Sequence, residues 1–163
     1  MTPNDSLFGP PETLTIGTHS ALALLDGTSI ALDLNIGPEP SSPALLSQLI
    51  THARDLRSLD TVARQALLAA VSDAGSSASL YASHHREELS PDELRSLFGS
   101  CDEKALANGS IVNALRLVRV GIYPSGRNPR ILLDYSLSPE LTQYVLCVAV
   151  DKNGAVLAID MES

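Results

Sequence analysis

The sequence has few aromatic residues, with four Tyr, two Phe and no Trp among 163 residues. Its core must therefore be aliphatic, and it lacks the stacking platforms on which single-stranded nucleic acids are usually held. Basic residues are also in the minority, because 11 Lys and Arg stand against 19 Asp and Glu, a formal charge of −8. Since nucleic-acid binding needs a dense cationic surface, this balance argues against a nucleic-acid partner.

Cysteines and long apolar segments are equally scarce. Cys101 and Cys147 form no C-x-x-C motif and are too few for a disulfide framework. No segment approaches the roughly 18 consecutive apolar residues of a membrane span, and the chain begins without a cationic, then apolar, signal sequence. We therefore expect a cytoplasmic protein with reduced thiols and no membrane partner.

The composition that remains is that of a globular protein, with 44% hydrophobic and 18% charged residues. Residues 1–12 are polar and rich in proline, so we expect a flexible N-terminus there. The length favours one domain over residues 13–163.

The first part of that domain has the pattern of a β-hairpin. Strand-like segments cover Thr13–Ile16 and His19–Leu25, and the next strand alternates apolar and polar residues up to Ile36. Between them, Asp26-Gly27 is a turn signal, because both residues tolerate the positive φ of a type I′ turn.

Helix signals fill the middle of the chain. Ser42-Pro43 opens a first helix, and a second is predicted from about Asp60. A further helical segment is predicted at residues 80–89, and Ser90 begins a capping box for a helix that stops at Gly99. A last short helix is predicted from Ser100 to about residue 109.

Four strand-like segments follow, joined by short turns, and predict an antiparallel meander: Ala114–Tyr123, Arg130–Leu137, Tyr144–Asp151 and Ala155–Met161. The apolar phase shifts within the first segment, which predicts a bulge. The third segment is apolar on both sides, which predicts a strand covered on both faces. Together these signals predict an α+β domain with the helices packed on one face of the sheet. Whether the N-terminal hairpin joins that sheet is left open by the pattern.

The last third of the chain contains a series of short motifs: Ile122-Tyr123-Pro124, Leu133-Asp134-Tyr135-Ser136-Leu137, Glu140-Leu141-Thr142, Val145-Leu146-Cys147-Val148, Asp151-x-x-Gly154 and Ile159-x-x-Glu162-Ser163. This series resembles a family of small bacterial proteins catalogued as a domain of unknown function. Some neighbouring families of this size are described as immunity proteins against polymorphic toxins, so the resemblance implies an immunity-type role. It implies no catalytic residue and no cofactor.

One cluster could carry chemistry. On a helix, His84 and His85 lie four and three residues before Glu88, so the three can share a face. Imidazole and carboxylate are suitable ligands for zinc or iron. The alternative is a solvated, charge-rich helix end, because neither H-E-x-x-H nor H-x-x-E-H is present.

A second cluster is cationic. Arg116, Arg119, Arg127 and Arg130 lie in a stretch without acidic residues, and adjacent strands could bring several of them to one face. Arginine forks suit carboxylates, so this patch could dock an acidic partner. The alternative is that the arginines pair with the surplus acids of the helices or hydrate one sheet face.

The motifs of common enzymes are absent from the sequence, including the G-x-S-x-G elbow and the phosphate-binding glycine loops. We therefore expect a non-enzymatic module without a cofactor that binds another protein or a second copy of itself. The alternative is a small metal-binding protein or hydrolase that uses His84, His85 and Glu88.

Overall fold

The computed structural model describes residues 7–10, 13–102 and 106–163. In this part of the chain there are six strands and five helices, in the following order: β1 Gly17–Leu25, β2 Thr28–Ile36, α1 Pro43–Arg54, α2 Leu56–Ala70, α3 Ser77–Glu88, α4 Pro91–Phe98, α5 Asn108–Ala114, β3 Arg116–Tyr123, β4 Arg130–Ser136, β5 Val145–Val150 and β6 Val156–Glu162.

The six strands form one sheet in the order β1-β2-β3-β4-β5-β6. All neighbours are antiparallel except β2 and β3, which run parallel and are connected by the five helices. The N-terminal hairpin therefore joins the main sheet, which answers the question that the sequence left open. The predicted α+β fold, with an N-terminal hairpin, central helices and a C-terminal meander, is confirmed.

The hairpin turn follows its sequence signal. Asp26 has φ 50° and Gly27 has φ 80°, the two positive values of a type I′ turn. The side chain of Arg57 at the start of α2 donates to the Asp26 carboxylate and ties the turn to the helices. The predicted strand Thr13–Ile16 is wrong, because β1 begins at Gly17. Gly17 has a φ of 128°, which glycine adopts more easily than any other residue.

Side-chain caps set the starts of the first four helices. Ser42, Ser76 and Ser90 each accept a hydrogen bond from the backbone N–H three residues ahead, and Ser90 completes the predicted capping box. The prediction that the second helix starts near Asp60 is wrong by about one turn. Asp55 caps it instead, so α2 begins directly after α1 ends.

The predicted end of the last short helix at Asn108-Gly109 is wrong, because α5 begins at Asn108. The Asn108 side chain donates to the Val71 carbonyl at 3.3 Å and accepts a hydrogen bond from Arg86. Residues 103–105 of the predicted helix lie outside the described part of the chain. Because α5 continues to Ala114, β3 starts at Arg116 and not at Ala114.

The buried residues form one aliphatic cluster between the helices and one face of the sheet. Polar ties cross this layer at two tyrosines. Tyr135 donates to the Asp60 carboxylate at 2.7 Å, and Arg64 donates to the same carboxylate at 3.0 Å. The hydroxyl of Tyr81 accepts from the Leu137 N–H at 3.1 Å. These bonds fix α2 and α3 against the sheet.

Three other predictions concern the margins of this core. The bulge predicted in the first C-terminal strand is present, as a register shift between Leu117 and Arg119. The prediction that β5 is covered on both faces is wrong, because the helices cover only one. Within the predicted flexible segment 1–12, Leu7 and Phe8 pack partly buried against the core, and residues 1–6 and 11–12 lie outside the described residues.

Candidate functional site

The sheet has a face that the helices do not cover, called here the open face. The register of the strands assigns these side chains to it: Thr18, Ser20, Leu22, Leu24, Ser29, Ala31, Asp33, Asn35, Arg119, Gly121, Tyr123, Arg130, Leu132, Asp134, Val145, Cys147, Ala149, Ala158, Asp160 and Glu162. Leu157, at the register shift between β5 and β6, lines a groove with several of these residues and is counted with the open face. The open face combines a charged centre with apolar flanks.

An arginine held between two carboxylates lies at the centre of the open face. Arg119 on β3 donates to Asp33 on β2 at 2.8 Å and to Asp134 on β4 at 3.4 Å. Ser20 on β1 adds a hydrogen bond to Asp33 at 2.9 Å, so the network spans four strands. Shared partners lower the entropy cost of each contact, and the guanidinium is therefore held in one position.

Arg119 is followed on the same strand and face by Gly121 and Tyr123. The Tyr123 ring folds back over the glycine, since a Cβ placed on Gly121 would lie 2.8 Å from Tyr123 Cε2 and 3.2 Å from its hydroxyl. The guanidinium of Arg130 on β4 lies 5.2 Å from the centre of the same ring, within cation–π range. The glycine thus makes room for a flat aromatic layer between two arginines.

Electrostatics keep the centre charged. The neighbouring Tyr123 hydroxyl is the largest cause that raises the pKa of Arg119, the Asp33 carboxylate adds to it, and partial burial opposes both. In turn the hydrogen bond from Arg119 lowers the pKa of Asp33, with help from Ser20 and against a smaller effect of burial. Both shifts favour the charged forms, a cation at Arg119 and an anion at Asp33.

Apolar side chains flank this centre on both sides. On β1, Leu22 is 70% and Leu24 is 72% exposed. On the side of β4 to β6, a groove of about 440 Å³ is lined by Leu132, Ala149 and the 56% exposed Leu157, with the acidic residues Asp160 and Glu162 among its lining residues. Exposed leucines on both sides of a fixed polar centre are typical of a surface that another macromolecule covers.

Cys147 lines the same groove but is not poised as a nucleophile. Burial is the main cause that raises the pKa of its thiol, and the negative charge of Asp134 raises it further. A thiol that stays protonated is a poor nucleophile, so Cys147 acts as a small apolar residue. Cys101 is exposed and free.

The four arginines of the predicted cationic patch are not in one environment. Arg119 and Arg130 share the open face, whereas Arg116 is exposed at the start of β3 and Arg127 is exposed in the loop before β4. One alternative was that the arginines pair with the acidic residues of the helices. Arg119 instead pairs with Asp33 and Asp134, which are carboxylates of the sheet. Of the predicted residues, Arg119 and Arg130 therefore lie at the centre of the candidate surface, whereas Arg116 pairs with Ser136 at the end of the strand.

The histidine cluster lies elsewhere, where α3 meets the loop between β4 and β5. His85 is buried, and its Nδ1 donates to the Tyr81 carbonyl at 2.7 Å, so that its Nε2 accepts from the Thr142 hydroxyl at 2.8 Å. Burial is the main cause that lowers the pKa of His85. With both nitrogens in use, this side chain holds the loop against the helix.

His84 and Glu88 line an open groove of about 550 Å³ beside His85. The His84 ring packs edge-on against the Tyr144 ring with 4.8 Å between their centres. Within residues 7–10, 13–102 and 106–163, no group of three or more His, Cys, Asp or Glu side chains is placed to hold a metal ion. The groove thus offers a few polar side chains without a metal-binding arrangement among the described residues.

The sequence did not single out Asp33, Gly121 or Tyr123 as site residues. A signal was available, because Arg119, Gly121 and Tyr123 alternate along one strand and a glycine in a strand often marks a close approach. Asp33 was visible only as the polar position of an alternating strand. It could be connected to Arg119 only once the parallel pairing of β2 and β3 was known.

Two findings complete the description of the site. Among the residues that the structure describes, no helix combines the length and apolarity needed to cross a membrane. Comparison of the chain with protein-family models, with curated proteins and with solved structures finds no significant match.

Proposed function

We propose that this chain is a non-enzymatic binding module that holds another protein on its open face. The observation that carries the proposal is the fixed Arg119 centre with exposed leucines on both sides, Leu22 and Leu24 on one and Leu157 on the other. Protein interfaces combine an apolar area with a few well-placed polar groups in this way. The arginine needs no ordering when a partner arrives, which favours specific binding.

The charge of the open face supports a protein partner over a nucleic acid. Its carboxylates are Asp33, Asp134, Asp160 and Glu162, and they outnumber Arg119 and Arg130. Phosphate groups would be repelled by this excess of negative charge. A protein can match both signs, with basic residues over the β6 side and a carboxylate near Arg130.

The C-terminal motifs resemble a family of small bacterial proteins, and this resemblance supports an immunity-type role for the binding module. An immunity-type module would bind a toxin tightly and inactivate it by covering its surface, and would need no catalytic residue of its own. Free thiols at Cys101 and Cys147 suit the reducing cytoplasm, where we propose that it acts. The alternative, a metal-binding protein or hydrolase built on His84, His85 and Glu88, finds no favouring observation in the described residues.

A capture experiment with matched variants tests the proposal. Protein carrying Leu157→Glu or Arg130→Glu is compared with wild type in pull-downs from its own cell lysate, with bound proteins identified by mass spectrometry. The control is Leu80→Glu, since Leu80 on α3 is 53% exposed and Leu157 is 56% exposed. We expect the two open-face variants to lose a partner that the control retains, with the Arg130 effect smaller in high salt.

Equal capture by all four proteins, or equal loss in the control, would remove the open face from consideration. A metal analysis of the purified protein tests the alternative. Stoichiometric zinc or iron that is lost in a His84→Ala variant would support the metal-binding protein.

A further inference from the structure

Strand β1 lies at one edge of the sheet. All nine of its residues, Gly17 to Leu25, pair with β2 on one side, and among residues 7–10, 13–102 and 106–163 no strand pairs with it on the other. A free edge presents a row of backbone N–H and C=O groups, and it is a template for a further strand. Natural proteins usually protect such an edge.

The turn determines which backbone groups are free. In a two-residue hairpin, the residues that flank the turn form the first hydrogen-bonded pair, and here these are Leu25 and Thr28. Because hydrogen-bonded and non-bonded pairs alternate in an antiparallel ladder, Ala23 and Ala21 also bond to β2. The N–H and C=O groups of the residues between them therefore point outward, and these are Thr18, Ser20, Leu22 and Leu24.

This edge carries none of the usual protection. Residues 13–25 contain no Asp, Glu, Lys, Arg or Pro, although the whole chain has a formal charge of −8. The opposite edge of the sheet is different, because β6 carries Asp160 and Glu162. Charged residues and prolines on an edge strand are what keeps sheets from pairing with each other. The absence of both from β1 leaves that edge open to pairing.

The side chains of β1 suit a copy of the same strand. On the helix side, Ala21 and Ala23 are small and half-buried, and on the open face Leu22 and Leu24 are exposed. If two β1 strands run antiparallel about an axis at Ala21, Ser20 faces Leu22 of the other copy, and outward backbone groups face outward backbone groups. No large side chain then faces another large one.

We propose that β1 pairs antiparallel with β1 of a second copy of this chain, about a two-fold axis at Ala21, to form one continuous sheet. Such an interface is isologous, and each copy supplies the same strand. Charge does not oppose this occupant at the contact itself, because β1 carries no Asp, Glu, Lys or Arg, and Asp26 and Asp33 in the hairpin are paired with Arg57 and Arg119. A foreign strand would gain nothing from charge at this edge.

The pairing goes beyond the proposed function and does not depend on it. It would join the two open faces into one surface, with Leu22 and Leu24 of each copy opposite Ser20 and Thr18 of the other. If the chain proves to be monomeric, the open face of each copy could still hold a partner. The two proposals therefore fail independently.

Sedimentation equilibrium tests the pairing in the wild-type chain, over loading concentrations from about 1 μM to about 1 mM, because a small interface gives weak affinity. We expect a monomer–dimer equilibrium with a dimer of twice 17.2 kDa. Leu22→Pro removes an outward N–H without touching the bonds to β2, and we expect it to weaken the dimer at least about tenfold. The matched control, Leu22→Val, keeps that N–H and is expected to dimerise like wild type. The proposal would be overturned if the wild type is monomeric, even if it binds a foreign peptide. It would also be overturned if the Leu22→Pro variant still forms the dimer.

Disulfide trapping gives a second test that does not depend on the proline variant. In a Cys101→Ser background, Ala21→Cys places two thiols in a non-bonded pair with Cα atoms about 4.5 Å apart, within the span of a disulfide. The control, Ala23→Cys, places them roughly 14 Å apart. We expect oxidation to link only the first variant into a covalent dimer. Linkage of the second variant alone, or of neither, would overturn the pairing.

Discussion

Tyr123 lies so close to Gly121 that the effect of Gly121→Ala on the free energy of unfolding should change sign when the tyrosine ring is removed. Adding a methyl group at position 121 creates a contact of 2.8 Å with the tyrosine ring, so the ring must lift from the strand. Overpacking of this kind costs about 1–3 kcal/mol. Replacing glycine by alanine inside a strand gains about 0.5–1 kcal/mol in conformational entropy. We therefore expect Gly121→Ala to lower the free energy of unfolding by about 1 kcal/mol.

The same substitution should have the opposite effect once the ring is removed. In a Tyr123→Ala background the three atoms nearest to the added Cβ are removed, so the entropy gain outweighs the cost of packing. Gly121→Ala should then raise the free energy of unfolding by about 0.5–1 kcal/mol. The coupling energy between the two sites is expected to be about 2 kcal/mol, as for residues in direct contact.

Urea denaturation of the wild type, both single variants and the double variant measures this coupling, provided that the m-value stays constant. Gly109→Ala is the matched control, because Gly109 lies in α5 with no atom within 4 Å of its added Cβ. It should stabilise by about 1 kcal/mol in either background. An equal effect of Gly121→Ala with and without the Tyr123 ring would refute the packing described for the open face.

Three further predictions concern the helix side of the sheet. Because burial lowers the pKa of His85 from 6.5, the unfolded chain binds the proton more readily than the folded chain. The melting temperature of the wild type should therefore fall as the pH drops below 6.5, and His85→Gln should make it less dependent on pH. Tyr135→Phe should cost about 1.5–3 kcal/mol in urea denaturation, since Asp60 loses a buried donor. Excess zinc should leave the melting temperature unchanged, because both His85 nitrogens are bonded; a rise abolished by His84→Ala would contradict this.

The elements that sequence reasoning placed well are those with a local cause. The Asp26-Gly27 turn, the Ser90 capping box and the αL stop at Gly99 depend on neighbours within a few residues, and the structure has all three. The helix α5 was not predicted, and its first residue, Asn108, bonds to Val71 and Arg86, which are distant in sequence. A side chain that bonds across the fold leaves no local signal.

The same distinction explains the candidate site. Arg119 and Arg130 were recognised as members of a cationic cluster of four arginines. The carboxylate that binds Arg119 comes from β2, through a parallel pairing that no turn specifies. His85 was grouped with charged neighbours because α3 ends in a polar run. Its burial follows from Thr142 in a loop beyond the next strands, 57 positions away.

The parallel contact between β2 and β3 also sets an order of events when the chain folds. Arg119 and its partner Asp33 are 86 positions apart, so their meeting carries a large loop-closure entropy and comes slowly. The last four strands need only short turns, and they can assemble early. On the ribosome, the hairpin of β1 and β2 emerges before β3 and must wait for it before β2 gains its second neighbour. During that interval its edges are exposed, and a chaperone has its best opportunity to act there.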